Sequence, residues 1–113
     1  MWSRKDERIE RFGADVYRCF DSAGNLLYVG CSLNAYSRVS QHKATAEWFP
    51  RLARFTVDRY KSRHVALVVE ARAIRDESPQ YNVTQYGSLA NEKVTATPIE
   101  HDDFELAVVG AYA

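Results

Sequence analysis

Apolar and polar residues in the first half of the chain form short runs that predict a β-hairpin. Residues 16–20 and 26–30 are two β-leaning runs, and the connecting residues 21–25 are rich in turn formers. Residues 55–60 alternate in polarity and predict a third strand. The pattern therefore predicts a small sheet whose first two strands are antiparallel.

The segment after this hairpin has the pattern of a helix. Residues 33–43 predict the helix itself, with either Ser32 or Asn34 as its N-cap. Residues 44–52 add a further helical turn or two, which Pro50 interrupts.

A longer helix is predicted from its N-cap Ser62 to about residue 76, and Pro79 ends it. Five apolar positions at helical spacing form its expected buried stripe: Ala66, Leu67, Val69, Ala73 and Ile74. Later in the chain, residues 97–100 have a capping-box pattern that predicts a short C-terminal helix, although residues 104–112 fit a strand equally well. Residues 3–11 fit a short polar helix.

Length and composition are those of one domain with a modest core. The chain has 113 residues, of which 46% are hydrophobic, and no apolar run is long enough to span a bilayer. The first eight residues mix charges without a following apolar segment, so we expect no secretory signal and a cytoplasmic protein. Cys19 and Cys31 flank the hairpin; a disulfide between them is open, but a reduced pair fits this location better.

The formal net charge of zero conceals a strong asymmetry along the chain. Residues 1–75 hold 14 of the 15 Lys and Arg and eight acidic residues, which gives +6, whereas residues 76–113 sum to −6. A basic body is compatible with a phosphate-binding face, and a solvated surface of scattered charges is the alternative. The acidic tail is expected either to shield the basic face or to form a dimer contact.

Several side chains in these predicted elements are candidates for catalysis or phosphate binding. Arg38 and His42 lie four residues apart on one predicted helix, so they share a face that can bind a phosphate, or they belong to an ordinary polar surface. Tyr17 and Tyr28 lie on neighbouring predicted strands, where packing across the hairpin is the usual role. A phenol acting as a base needs a nearby Arg or metal ion, because its ordinary pKa is about 10.

Glu70 lies at the border of the buried stripe of the longer helix. A carboxylate in this position is costly unless it is paired or bound to a metal ion. An ion pair with Arg72 or Arg38 and a metal-binding role are both open from these residues alone. The aromatic and basic stretch at residues 48–54 likewise has two possible roles: it contacts nucleic acid, or it forms core plus ordinary surface.

The order and spacing of these residues resemble the GIY-YIG endonuclease family. The first signature reads Asp15-Val16-Tyr17, the second reads Tyr28-Val29-Gly30, and three further elements follow in order: Arg38 with His42, Glu70 and Asn82. The resemblance covers about residues 14–84. It implies an α/β fold with a three-stranded antiparallel sheet flanked by helices. The implied segments are an N-terminal extension (1–13), the nuclease module (14–84) and an acidic C-terminal extension (85–113).

The resemblance also implies a function, a metal-dependent DNA endonuclease that uses one Mg²⁺ or Mn²⁺ ion. Tyr17 would be the general base or the group that orients the attacking water, and Tyr28 would support the water and the phosphate. Arg38 would stabilise charge on phosphorus, His42 would assist the base or bridge to the phosphate, and Glu70 would hold the metal. The supporting residues would be Gly30, which allows close backbone approach, and Asn82, which orients the site.

One signature position departs from the family pattern, and target recognition is open. Asp15 stands where the signature has its first glycine. Recognition of DNA would depend on the module's own surface, its tail, a homodimer or a partner protein. A non-catalytic nucleic-acid-binding or adaptor module on the same scaffold is the alternative function, and cleavage of RNA is a further one.

Overall fold

The computed structural model describes residues 13–82 and 87–106. These residues form one four-stranded sheet and two α-helices. The strands are β1 (Ala14–Phe20), β2 (Leu26–Ser32), β3 (Arg54–Tyr60) and β4 (Glu100–Glu105). The helices are α1 (Ala35–Thr45) and α2 (Arg63–Glu77), and two short 3-10 turns span Phe49–Arg51 and Gly87–Asn91. The strand order is β2-β1-β3-β4, and each neighbouring pair is antiparallel.

The predicted α/β class is confirmed, but the sheet has four strands rather than three. The fourth strand begins at Glu100, inside the segment whose capping-box pattern predicted a C-terminal helix, so that prediction is wrong. The backbone N–H of Ile99 donates to the carbonyl of Arg59 at 2.7 Å, so pairing with β3 outweighs the local helix signal. The alternative strand at 104–112 is correct only for its first two residues, since residues 107–113 lie outside the described part. The predicted N-terminal helix also lies outside it.

The central strands β1 and β3 are buried on both faces because a helix packs on each face of the sheet. Side chains of β1 alternate between two core clusters, one on the α1 face and one on the α2 face. The α1 cluster contains Tyr17, Cys19, Leu27, Ala35, Val39, Trp48, Leu52, Phe55 and Val57. The α2 cluster contains Ala14, Val16, Val29, Tyr60, Ala66, Val69 and Ala73. The fold therefore has three layers, and both helices can present side chains to the central hairpin.

The helix boundaries follow the local signals closely. Asn34 is the N-cap of α1, where its side chain accepts the backbone N–H of Ser37 at 3.2 Å. Ser62 caps α2 in the same way through Val65, at 3.1 Å. The helix ends at Ser78, which has the left-handed backbone conformation typical of a helix C-terminus.

The buried surface of α2 is wider than the single stripe predicted for it. Val68 and Ala71 are buried although the stripe did not include them, whereas Leu67 and Ile74 are only half-buried. The reason is that α2 packs against the 3-10 turn Gly87–Asn91 as well as against the sheet. Within the described residues, no helix is long and apolar enough to cross a membrane.

Candidate active site

A phenol and an imidazole meet on the α1 face of the sheet. The hydroxyl of Tyr17 on β1 lies 2.8 Å from Nε2 of His42 on α1. Tyr28 and Trp48 enclose the pair: the Tyr28 ring stacks on Trp48 with centroids 5.3 Å apart, and the imidazole lies 5.0 Å from Tyr28 and 4.9 Å from Trp48. The two signature tyrosines and His42 therefore form one aromatic cluster at the base of the site.

Gly30 makes this arrangement possible. It lies opposite Tyr17 in the β1–β2 pairing. A Cβ atom on Gly30 would lie 2.3 Å from the phenol oxygen of Tyr17, so any side chain here would displace the ring. The close backbone approach expected at this glycine is therefore made to the signature tyrosine itself.

The surroundings set the protonation states of the Tyr17–His42 pair. Burial raises the pKa of Tyr17, and the opposing effect of Arg38 is smaller. Burial also lowers the pKa of His42 below its usual 6.5, and Arg38 lowers it further. At neutral pH the phenol is therefore protonated and the imidazole neutral, so Tyr17 O–H donates and His42 Nε2 accepts.

Arg38 lies one helical turn before His42 and is exposed to solvent. Its guanidinium group has no hydrogen-bond or ion-pair partner among the described residues. Its side chain lines a surface pocket together with residues of β2 and α2. A guanidinium in this position is available to an anionic ligand.

Glu70 approaches the same region from the other helix. It is half-buried on α2, and burial raises the pKa of its carboxyl group, while a backbone hydrogen bond from Cys31 on β2 opposes this shift. The alternative of an ion pair with Arg72 or Arg38 is not found: Arg72 donates to the carbonyls of Ala90 and Glu92, and Glu70 has no ion pair within the described residues.

The donor set of this region suits a hard cation held mainly by water and substrate. The described residues contain no cluster of three or more His, Cys, Asp and Glu side chains arranged for a metal ion. Glu70 offers one partly dehydrated carboxylate. Mg²⁺ keeps several waters and is commonly bound through one or two carboxylates plus substrate phosphate oxygens. The residues therefore fit an open site that a phosphate ligand would complete.

Asn82 supports the site from the outer edge of β2. Its side-chain oxygen accepts the N–H of Val29 and its amide nitrogen donates to the Val29 carbonyl, both at 2.8 Å. The neighbouring Tyr81 N–H donates to the carbonyl of Leu27 at 2.9 Å. These bonds cover the free edge of the strand that carries Tyr28 and Gly30, so Asn82 positions the second signature through the backbone.

Asp15, which stands where the signature has its first glycine, is a residue of β1. Its side chain is buried against the start of α1. It is only 2% exposed, and its carboxylate accepts the backbone N–H of Ala35 at 2.9 Å. It also forms an ion pair with Arg59 at 3.1 Å, and Arg59 donates to the carbonyl of Leu33 at 3.2 Å. The carboxylate thus binds the N-terminus of the helix that carries Arg38 and His42, a location that favours negative charge.

The aromatic and basic stretch at 48–54 is core plus ordinary surface in this fold. Trp48 is buried. Arg51 binds Asp21 at 2.9 Å, and Arg54 binds Asp103 at 3.2 Å. Trp48 nevertheless matters to the site as a wall against the rings of Tyr28 and His42, a role that its position in the sequence does not reveal.

One further site-proximal residue escaped prediction from the sequence, whereas the reduced cysteine pair was expected. Arg63 lines the same pocket as Arg38. Its spacing of seven residues from Glu70 places both on one face of α2, so helical periodicity is the signal that could have found it. The cysteines are both free thiols and belong to opposite faces of the sheet, Cys19 to the α1 cluster and Cys31 beside the α2 cluster.

Comparison with known families and proteins finds sequence matches to this chain. The UvrC-like GIY-YIG domain matches residues 13–83. The chain is 36% identical over 77 residues to UvrABC system protein C of Neisseria gonorrhoeae (strain ATCC 700825 / FA 1090) and, equally, to that of Neisseria meningitidis serogroup B (strain ATCC BAA-335 / MC58). It is 35% identical over 75 residues to the protein of the same name from Bartonella quintana (strain Toulouse).

These matches concern one part of much longer proteins. Each alignment covers 60% of this chain but only 11% or 12% of the relative. The chain therefore corresponds to a single region of those relatives. No solved structure matches it significantly.

Proposed function

Because this chain belongs to the UvrC-like GIY-YIG domain family, a nuclease family, we propose that it is a DNA endonuclease that depends on a divalent metal ion. The observation that carries the proposal is the hydrogen bond between Tyr17 and a neutral His42, with Arg38 and Glu70 beside it. A structural tyrosine pair would need none of these three polar partners.

We assign the proton transfer to Tyr17 and His42 acting together. The raised pKa of Tyr17 makes the phenol alone a poor base at neutral pH, but its hydroxyl can take a proton from water as it passes its own proton to His42 Nε2. The products of this step are a hydroxide, a neutral phenol and an imidazolium. The hydroxide attacks phosphorus, the P–O bond to the leaving oxygen breaks, and that oxygen takes a proton from solvent. The imidazolium then returns its proton to solvent.

The remaining residues balance charge and hold the substrate. Glu70 would hold Mg²⁺ or Mn²⁺, which when bound would supply charge neutralisation at the phosphate and a more acidic water. Arg38 would bind a non-bridging oxygen of the scissile phosphate, whose negative charge grows in the transition state. Tyr28 would orient the water and the phosphate, with Gly30 and Asn82 keeping both tyrosines in register.

Substitution of Glu70 tests this proposal. Glu70→Gln keeps the shape of the side chain and an acceptor for the Cys31 N–H but removes the charge, so we expect metal-dependent cleavage to be lost with the fold intact. Glu70→Ala should act in the same way. The measurement is nicking of plasmid, linear and branched DNA with and without Mg²⁺ or Mn²⁺, with circular dichroism to check folding. Glu105→Ala, at the exposed far edge of the sheet, is the matched control.

Two outcomes would redirect the assignment. Full activity of folded Glu70→Gln protein would contradict the site. Binding of all three DNA forms by the wild type without nicking would favour the adaptor function instead. The same panel also separates structure-directed cleavage from loosely specific cleavage, the two modes that we favour over recognition of a long sequence. Its extension to RNA tests the alternative substrate.

A further inference from the structure

A second cationic residue lies beside the proposed catalytic centre, in a hollow that we name the arginine cleft. The cleft has a volume of about 260 Å³. Its lining residues come from the end of β2, the following loop and both helices: Cys31, Ser32, Leu33, Arg38, Arg63 and Leu67. Arg38 thus belongs both to the centre and to the cleft, so the two are continuous.

The two arginines of the cleft come from different helices and lack protein partners. Arg38 projects from α1 and Arg63 from the first turn of α2, and both are exposed. Within residues 13–82 and 87–106, neither guanidinium group has a hydrogen bond or an ion pair. Two guanidinium groups around one hollow repel each other unless an anion lies between them. The charge distribution therefore indicates an anionic ligand.

Arg63 lies close to Glu70, so an anion bound by Arg63 would lie beside the proposed catalytic centre. Arg63, Leu67 and Glu70 are spaced four and three residues apart, so they lie on one face of α2. Seven residues correspond to about 10 Å along a helix axis. Both charged groups lie near Cys31 on β2: Arg63 lines the cleft together with it, and the carboxylate of Glu70 accepts its backbone N–H. The carboxylate and the guanidinium thus both lie near the end of β2.

We propose that the arginine cleft binds the DNA backbone phosphate next to the scissile one, with Arg63 as its ligand. This inference rests on the proposed function. A strand whose scissile phosphate lies between Arg38 and Glu70 must continue past the centre, and the cleft is the adjoining surface with an unpaired cation. The fork of an arginine suits a phosphate, because two N–H groups can bind two oxygens.

The first test is the salt dependence of DNA binding. Fluorescence anisotropy of a labelled duplex in EDTA, over a range of salt concentrations, compares the wild type with Arg63→Ala, Arg63→Lys and Arg54→Ala. Arg54 is the matched control because it lies on β3 and binds Asp103 on β4, away from β2. We expect Arg63→Ala to reduce the salt slope by about 0.9. Its affinity should fall about tenfold, with Arg63→Lys intermediate.

The second test locates the phosphate. Single methylphosphonates, which are uncharged, are placed at each position around the mapped cleavage point of an oligonucleotide. At one flanking position the methylphosphonate should lower the kcat/KM of the wild type about tenfold. The kcat/KM of Arg63→Ala should be the same with this methylphosphonate as with natural DNA. The effect of Arg63→Ala on natural DNA should appear in KM, with kcat nearly unchanged, because the residue does not touch the reacting atoms.

The outcomes separate this inference from the function beneath it. Equal effects of Arg63→Ala and Arg54→Ala would overturn the role of Arg63 and leave the nuclease intact. The same conclusion would follow if the losses caused by Arg63→Ala and by the methylphosphonate were additive at every position. Binding with the expected Arg63 dependence but no cleavage in Mg²⁺ or Mn²⁺ would overturn the nuclease alone. Absence of DNA binding by the wild type would overturn both.

Discussion

At the scale of single residues, the proposed chemistry depends on the position of Tyr17. The ring can lie there only because residue 30 is a glycine. The ring occupies the space above Gly30, and its hydroxyl meets His42. A packing tyrosine needs neither of these features. The hydroxyl, rather than the ring, is therefore the part of Tyr17 that we expect to be functional.

Removal of that hydroxyl should leave the fold and abolish most of the rate. Tyr17→Phe keeps the ring above Gly30, so we expect unchanged thermal stability to within a few degrees. General-base catalysis typically contributes about 10²–10⁴-fold, and we expect a loss of kcat in this range. Single-turnover cleavage under saturating protein measures it. A loss below tenfold would mean that Tyr17 positions the water without taking its proton.

The pH profile provides the control for that variant. Because the pKa of His42 lies below 6.5, the wild type should lose activity as pH falls through that lowered value, when His42 is protonated and can no longer accept. Protonation of Glu70, whose pKa is raised above 4.5, reinforces the same acid limb. Tyr17→Phe should retain only the contribution from Glu70. An identical acid limb in both proteins would contradict the proton transfer to His42.

At the scale of elements, local sequence patterns predicted what local forces determine. The hairpin, the third strand and both helices follow from periodicity, turn residues and the caps Asn34 and Ser62. The strand β4 does not, because its charged sequence has a weak strand preference. It is held by distant partners: Asp102 accepts from the Tyr36 hydroxyl at 2.8 Å. No local rule contains such a contact.

The candidate site divides in the same way between local and long-range information. The resemblance to a known family supplied its residues, and α1 brings Arg38 and His42 to one face as helical spacing requires. The burial that sets the protonation of Tyr17, the wall formed by Trp48 and the fate of Asp15 depend on packing across the sheet. These features become visible only in three dimensions.

The attachment of α1 through Asp15 is an element-scale prediction. Asp15→Ala removes the acceptor of the Ala35 N–H and the ion pair with Arg59, and we expect the free energy of unfolding to fall by about 1–3 kcal/mol. Burial raises the pKa of Asp15 despite both partners, so the charge itself adds little. Asp15→Asn, which keeps an acceptor, should therefore be close to the wild type.

Denaturant unfolding and cleavage kinetics together check this role. Asp15→Ala should also lower kcat, because α1 carries Arg38 and His42, and Asp15→Asn should restore most of it. Equal kcat values in Asp15→Ala and the wild type would show that α1 keeps its place without this carboxylate. Equal losses of stability in Asp15→Ala and Asp15→Asn would mean that the charge, rather than the acceptor, is what holds the helix.

At the scale of the whole molecule, the described part of the acidic tail lies far from the proposed chemistry in the sheet order. The strand β4 pairs with β3 at one edge, whereas β2, which bonds Asn82 through Val29 and Glu70 through Cys31, forms the other edge. Two of the acidic side chains of β4 have partners within the fold: Asp103 binds Arg54, and Asp102 accepts from the Tyr36 hydroxyl. The contacts of β4 therefore give it a structural part in the sheet.

Removal of β4 should accordingly damage stability before chemistry. A chain ending at residue 98 loses the pairing along β3 and the stacking of Phe104 on Phe55, whose centroids are 5.0 Å apart. It also exposes the edge of β3, which invites association between chains. We expect a lower melting temperature and a larger mass in light scattering, with cleavage per folded monomer unchanged. A chain ending at residue 106 retains β4 and is the control. Faster cleavage by the monomer of the shorter chain would instead show that β4 restrains the nuclease, and an unchanged melting temperature would contradict its structural role.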